Sequence, residues 1–416
     1  GVQTCALPIS GVKILFNLNK FISEHVIKRS ASMFLKDIEA NYDELFENIS
    51  GKSALVIGGA GSIGSSFVKE LLKFRPRSLV VIDMNENALA ELTRDIRSTK
   101  GLYVPDDYAL YPVSYASEVF EKIFRKRGGF DIAANFSAHK HVRSEKDIYS
   151  VEALLKNNLF DAGKLLDLLC EFPPEEYFCV STDKAANPVS IMGASKRIME
   201  DLIFSYSDIF PVKTARFANV AFSNGSLPAG FLERIQKLQP LTAPSDVRRF
   251  FVSPEESGQI CLLSCIIGTN RAILFPKLEQ SQMMTFDMIA SELLRANGFD
   301  VLECSSDAQA IDMAEDLKTG SRLYPVHYSK SDTSGEKPFE EFVADNETAD
   351  MTRFFSLGVI TGKDIPDRER LKNLLADLKA AFAREEIAKS EIVNIISEYL
   401  PGFRHIETGR SLDSKM

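Results

Sequence analysis

Short, almost wholly apolar runs alternate with amphipathic ones through most of this chain. Ser53 to Ile57 and Ser78 to Ile82 are rich in Val, Ile and Leu, the composition of strands covered on both faces. Similar runs predict strands at Ala109 to Val113, Asp131 to Asn135, Tyr177 to Ser181, Val212 to Phe217 and Ala272 to Phe275. Between them, apolar residues at helical spacing predict helices over 65–73, 86–98, 116–127, 150–171, 191–206, 228–238, 255–267 and 285–297. Strand and helix in strict alternation predict an α/β fold with a doubly wound parallel sheet. From about residue 216 the strand signals become irregular and loop-rich, which predicts a smaller second region over 216–345. Helices near 367–385 and 387–399, ended by Pro401-Gly402, make 346–416 a helical C-terminal region, a cap or an oligomer contact.

The N-terminal end divides in two. GVQTCALPIS, residues 1–10, reads as translated sequencing-adapter sequence, so it is set aside together with Cys5. Residues 11–50 form a helical extension. Its apolar positions are Phe21, Ile22, Val26, Ile27, Phe34, Leu35, Ile38, Leu45, Phe46 and Ile49, and it should pack on the core or a neighbouring subunit.

Two segments carry chemistry. The first strand runs into Gly58-Gly59-Ala60-Gly61-Ser62-Ile63-Gly64, then a helix. Glycines at 58, 61 and 64 suit a tight turn, a close approach to a pyrophosphate and close helix packing, and Ser62 and Ile63 open the helix whose N–H groups face the phosphates. The second strand ends at Asp83, placed to bind adenosine ribose hydroxyls. Met84-Asn85-Glu86-Asn87 offers no Arg or Lys for a ribose phosphate, so NAD is favoured over NADP. Residues 51–215 thus read as a Rossmann-type NAD-binding domain. The other segment is STDKAANPVSIMGASK, 181–196, which leaves a strand's carboxyl end, the edge where such sheets bind ligands. Its hydroxyl, carboxylate and amine (Thr182, Asp183, Lys184), with Lys196 returned by a helix, suggest proton transfer beside a cofactor. A solvated strand-to-helix loop is the plainer alternative.

Together these segments resemble the extended short-chain dehydrogenase/reductases, and within them the polysaccharide-biosynthesis branch of UDP-N-acetylglucosamine 4,6-dehydratases. The resemblance spans roughly 51–340 and rests on GGAGSIG (58–64), NFSAHKHV (135–142), STDKAANP (181–188), MGASKR (192–197), RFANVAFSNGS (216–226), RRFF (248–251) and SGEK (334–337). It implies NAD as cofactor, a UDP-sugar as substrate and a homo-oligomer as the working state. Thr182, Met192 and Lys196 fall where the superfamily has Ser/Thr, Tyr and Lys, and Lys196 would bind the nicotinamide ribose. Met192 departs from the pattern, because a thioether is neither acid nor base. Either activity is lost or Asp183 and Lys184 carry the protons. The same replacement occurs in family members that retain configuration at carbon 5, although Met192 is equally readable as core filler.

Lys140 matches a lysine near the sugar, with a solvated surface lysine as the alternative. Asn219 and Ser226 match the turn holding the nucleotide diphosphate, and Arg249 an arginine suited to bidentate phosphate contact. Glu336 matches the end of a motif normally written RPGEK; Thr333-Ser334 here replaces Arg-Pro. The acidic residue that usually follows the third strand is missing from Tyr111-Pro112-Val113-Ser114.

Composition narrows the partners. A net charge of −9 argues against nucleic acid or an anionic membrane surface. Ile260 to Gly268, the longest apolar run, is too short to span a bilayer. Six cysteines without paired spacing point to a reducing, cytoplasmic setting. Cys261 and Cys265 share a helix face without a second ligand pair, and the histidines are scattered, so no metal is expected. Three readings result: the dehydratase, a UDP-N-acetylhexosamine epimerase, and a non-catalytic NAD-binding sensor. Met192 favours the last, while Lys196 with Thr182, Asp183 and Lys184 opposes it.

Overall fold

The apolar runs become neighbouring strands. β1 (Ser53–Ile57), β2 (Ser78–Ile82), β3 (Asp107–Tyr111), β4 (Ile132–Asn135), β5 (Glu176–Val180) and β6 (Val212–Ala215) are all parallel, in the order β3-β2-β1-β4-β5-β6. β2 is buried along its whole length, as its uninterrupted apolar sequence requires. β3 begins and ends two residues earlier than its sequence suggests, because Pro112 has no N–H to continue the ladder. The computed structural model describes residues 16–140, 145–331, 335, 337, 339 and 341–407.

Helices connect the strands as their periodicity implies: α1 (Ser62–Leu72), α2 (Glu86–Ser98), α3 (Glu118–Arg127), α4 (Ile148–Leu155), α5 (Ala162–Leu169) and α6 (Ile191–Phe204). The continuous helix expected over 150–171 is broken by a π-helical segment, Lys156–Asp161. Such a bulge rotates its residues out of helical phase and often marks a functional site. Here it turns Asn157 and Asn158 toward the strand ends, where Asn158 is buried.

Beyond β6 come β7 (Leu241–Pro244), β8 (Ile273–Pro276), β9 (Asp300–Cys304), β10 (Leu323–Ser329), β11 (Ala349–Asp350) and β12 (Leu357–Ile360). β8 continues the parallel sheet next to β6, and β12 then β11 close it antiparallel. The region after 346 is therefore not helical throughout; two strands precede its helices, α10 (Arg368–Phe382) and α11 (Lys389–Tyr399). α7 (Leu227–Gln236), α8 (Pro254–Ile266) and α9 (Phe286–Ala296) fall between β6 and β9. β9, β10 and β7 form a separate three-stranded parallel sheet that the loop-rich sequence did not announce. Pro325 hides β10 from a pattern search. It is tolerated because it pairs with Leu302 of β9 one residue before the ladder with β7 starts at Val326.

Two apolar clusters result, one around the large sheet and one around the small sheet. The N-terminal extension joins both. Phe21, Ile22 and Val26 enter the small cluster, while Phe34, Leu45 and Ile49 enter the large one. Leu35 and Phe46, expected inside, are exposed. Polar contacts fix the extension: Arg29 grips the buried Glu256 carboxylate with two bonds of 2.6 Å, and Asp37 accepts the N–H groups of Phe355 and Ser356 just before β12. Among the described residues, no helix is long and apolar enough to cross a membrane.

Candidate active site

Strand order reverses at β1, which lies between β2 and β4, and in such sheets ligands bind in the crevice beyond the carboxyl ends of the strands at that reversal. The glycine loop after β1 fills one wall. Gly58 has φ +68°, and a Cβ there would stand 2.7 Å from the Ser137 backbone nitrogen in the loop after β4. A Cβ at Gly64 would run into the Gly58 carbonyl, so α1 can start this close to its strand only with glycine. Gly61 caps α1 with no side-chain bond, which leaves the first-turn N–H groups, including those of Ser62 and Ile63, aimed past the strand end. Asp83 holds this loop: its Oδ2 accepts the Ala60 N–H at 3.1 Å, and Oδ1 that of Asn85 at 3.0 Å. A glycine cradle at a helix N-terminus beside a strand-end carboxylate fits the pyrophosphate and ribose of a dinucleotide.

The second wall comes from β5. Thr182 donates its hydroxyl proton to Asp183 Oδ1 at 2.7 Å, and Lys184 reaches the same oxygen through its backbone N–H at 2.9 Å and its ammonium at 3.1 Å. Asp183 is buried and Lys184 half-buried, so a hydroxyl, a carboxylate and an amine form one connected unit at the strand end. Lys196 lies beneath it, only 3 % exposed, with Nζ 2.9 Å from the Val180 carbonyl. Burial lowers the Lys196 pKa, and the nearby Cys179 and Glu200 offset this only in part. Met192, one turn earlier on α6, is buried in the large core, so its side chain packs rather than titrates.

The loop after β4 brings Lys140 to the same edge. Its surface is open, yet the protein around it lowers its pKa by desolvation, and that of His139 likewise. The loop is tied to α6: Asn158 accepts the His139 N–H at 3.0 Å and donates to Ser195 Oγ at 3.0 Å. The turn carrying Asn219 and Ser226 closes over the glycine loop, since the Asn224 N–H bonds to Ser62 Oγ at 2.9 Å. Asn219 is held by its N–H to the Phe250 carbonyl, and Ser226 caps α7 through the Ala229 N–H. Arg249, 4 % exposed, donates to the carbonyls of Arg248 and Lys337, each at 3.0 Å. It therefore anchors Lys337. Glu336, Thr333 and Ser334 lie outside the described residues.

Several supporting groups escaped the sequence reading. Ser181 Oγ donates to Glu200 at 2.7 Å, and Glu200 pairs with Arg216, which is fully buried and also pairs with Glu347. Burial would push the Glu347 carboxyl up, but bonds and charge from Arg216 and Lys363 hold it down at about 2. Burial likewise works against the ionised Glu200, and Arg216 overcomes it. Glu145, also buried, accepts the Met192 N–H at 2.8 Å. The adjacent amides at 157 and 158 are visible in the sequence, but nothing in it marks the Glu200, Arg216 and Glu347 network.

Known proteins resemble this chain in sequence and in fold. The "Uncharacterized membrane protein MJ1061" of Methanocaldococcus jannaschii is 27% identical over 368 residues, 84% of this chain and 99% of that protein. The "UDP-N-acetylglucosamine 4,6-dehydratase (inverting)" of Campylobacter jejuni strain 81-176 is 26% identical over 71% of this chain and 82% of its own. The "UDP-glucose 4-epimerase" of Rickettsia typhi is 25% identical over 58% of this chain and 70% of its own. The chain spans about half the length of the Bacillus subtilis relative it matches, 49%. In fold it is similar to the X-ray structure of Pen from Bacillus thuringiensis, with TM-score 0.61, 18% identity and coverage of 85% and 98% of the two chains. A model of the family described as "Polysaccharide biosynthesis protein" matches residues 54–361, so the chain belongs to that family.

Proposed function

We propose that this protein is an NAD-dependent 4,6-dehydratase acting on UDP-N-acetylglucosamine, retaining configuration at carbon 5. The observation that carries the reading is the Thr182-Asp183-Lys184 unit at the β5 end, above the buried Lys196. NAD, when bound, would supply the hydride chemistry that links sugar carbon 4 with carbon 6. The glycine loop 58–64 holds the pyrophosphate, Asp83 the adenosine ribose, and Lys196 the nicotinamide ribose. Thr182 relays the carbon 4 hydroxyl proton to Asp183, along a hydrogen bond of 2.7 Å. Asp183 then gives that proton to the departing carbon 6 hydroxyl, which leaves as water. A neutral Lys184 would take the carbon 5 proton and, as an ammonium exchanging its protons with solvent, return one to the same face. Met192 supplies no phenol for the opposite face, which is why retention is expected. Lys140, Asn219, Ser226, Arg249 and Glu336 are assigned to the UDP-sugar.

A second reading, a UDP-N-acetylhexosamine 4-epimerase, needs redox at carbon 4 but no carboxylate–lysine pair for elimination. Relatives bearing both names keep it in play. Product identification after incubation with UDP-N-acetylglucosamine separates the two: a 6-deoxy-4-keto sugar against a carbon 4 epimer. For the cofactor, Asp83→Ala should weaken NAD binding by about 1–3 kcal/mol, the scale of hydrogen bonds to a charged group. Titration calorimetry measures this. Preference of the unaltered protein for NADP would overturn the assignment.

A further inference from the structure

We propose that the C-terminal segment Phe403 to Glu407 is a strap that orders the active site, with Glu145 and His405 as positioning residues. The inference rests on the dehydratase reading for its kinetic part only. Glu145, in the segment that follows Lys140, is 2 % exposed. A buried carboxylate needs partners. One oxygen accepts the Met192 N–H at 2.8 Å, and the other faces His405 Nε2 at 3.2 Å. Met192 sits in the first turn of α6, where N–H groups lack partners within the helix and negative charge is favoured. The carboxylate thus fixes the start of the helix that carries Lys196 one turn later.

The strap's backbone makes the connection wider. Ile406 donates its N–H to the Val189 carbonyl and accepts the Gly335 N–H at its own, both at 2.9 Å. Val189 closes the loop that follows Asp183 and Lys184. Gly335 has φ +71°, and a Cβ there would come 2.6 Å from Cβ of Ser190, the residue capping α6. Lys389 bonds the Glu145 carbonyl at 2.7 Å and Glu407 at 2.5 Å, tying the strap to α11. Val189 in the loop after β5, Glu145 and Gly335 are therefore joined through one short stretch. Buried Phe403 seats that stretch in the large core. None of these groups belongs to the Thr182-Asp183-Lys184 unit, so the strap acts on its placement.

The test compares His405→Ala with His405→Gln, whose amide can still donate to Glu145, and uses Glu145→Gln as a second probe of the same bond. Amide hydrogen exchange on the protein as purified needs no substrate. In His405→Ala, residues 189–193 should exchange about tenfold faster than in the unaltered protein, beyond what any drop in the unfolding midpoint accounts for. Turnover of UDP-N-acetylglucosamine should fall roughly 10- to 100-fold with KM within about threefold, because small misplacements of reacting groups act on kcat. His405→Gln should recover both readouts to within about threefold, on the scale of one retained hydrogen bond. Unchanged exchange in His405→Ala overturns the proposal, as does a glutamine variant as impaired as the alanine one, or losses that track a lowered unfolding midpoint. If the unaltered protein leaves UDP-N-acetylglucosamine untouched, the functional reading fails, and the exchange data alone still decide the strap.

Discussion

Replacing Arg216 with methionine should lower folding stability by about 3–5 kcal/mol, the range for removing one partner of a buried ion pair. Arg216 has no exposed surface and satisfies two carboxylates, Glu200 at 2.6 and 2.8 Å and Glu347 at 2.9 Å. Methionine fills a similar volume but leaves both carboxylates facing each other without their shared cation. Denaturant unfolding at neutral pH measures the loss, and acid supplies an internal check. In the unaltered protein Glu347 is held below its ordinary value of 4.5, at about 2, so its contribution is present above pH 4.5 and fades as pH falls toward 2. In the variant both carboxyls lose their largest stabilising partner and should titrate higher than in the unaltered protein, with Lys363 and Arg197 left beside them, so its deficit shrinks on acidification. A deficit that is small, or that grows as pH falls, would show that Arg216 is not the neutralising centre. Because Ser181 bonds to Glu200, the same change should also loosen the strand end that carries Thr182.

Asp183→Asn or Lys184→Ala should cut turnover about a hundredfold or more, the usual contribution of a positioned acid or base. Lys184 Nζ lies 3.1 Å from Asp183 Oδ1, so removing either member leaves the other without its proton partner. Circular dichroism and NAD content should stay at the unaltered level, since the dinucleotide cradle lies across the crevice at 58–64. Near-normal product formation in both variants would assign their charges to structure and move the chemistry elsewhere.

How far these sites could be read in advance depended on distance along the chain. The glycine cradle was legible because turn, helix start and strand-end carboxylate each leave a local mark, and β1, β2 and α2 lie where their patterns put them. Thr182, Asp183 and Lys184 were legible for the same reason, as consecutive residues leaving one apolar strand. The buried network was not. Glu200 sits on a helix buried almost all round, so no polar stripe announces it; its partner Arg216 lies 16 residues away, and Glu347 lies 131 residues from Arg216. Glu145 and His405, 260 residues apart, left no periodic trace either. The small sheet escaped because β10 contains a proline and β7 is short, although parallel pairing tolerates both here. Arg249 was legible as a candidate from RRFF alone, whereas its bond to the Lys337 carbonyl, 88 residues on, was not.

The most direct measurement is to incubate the purified protein with UDP-N-acetylglucosamine in heavy water and follow the sugar by NMR from the first turnovers. The account predicts a 4-keto product with a methyl group at carbon 6, deuterium introduced at carbon 5, and ring couplings of the retained, xylo configuration. A product that keeps its carbon 6 hydroxyl, or one inverted at carbon 5 from the outset, would contradict it.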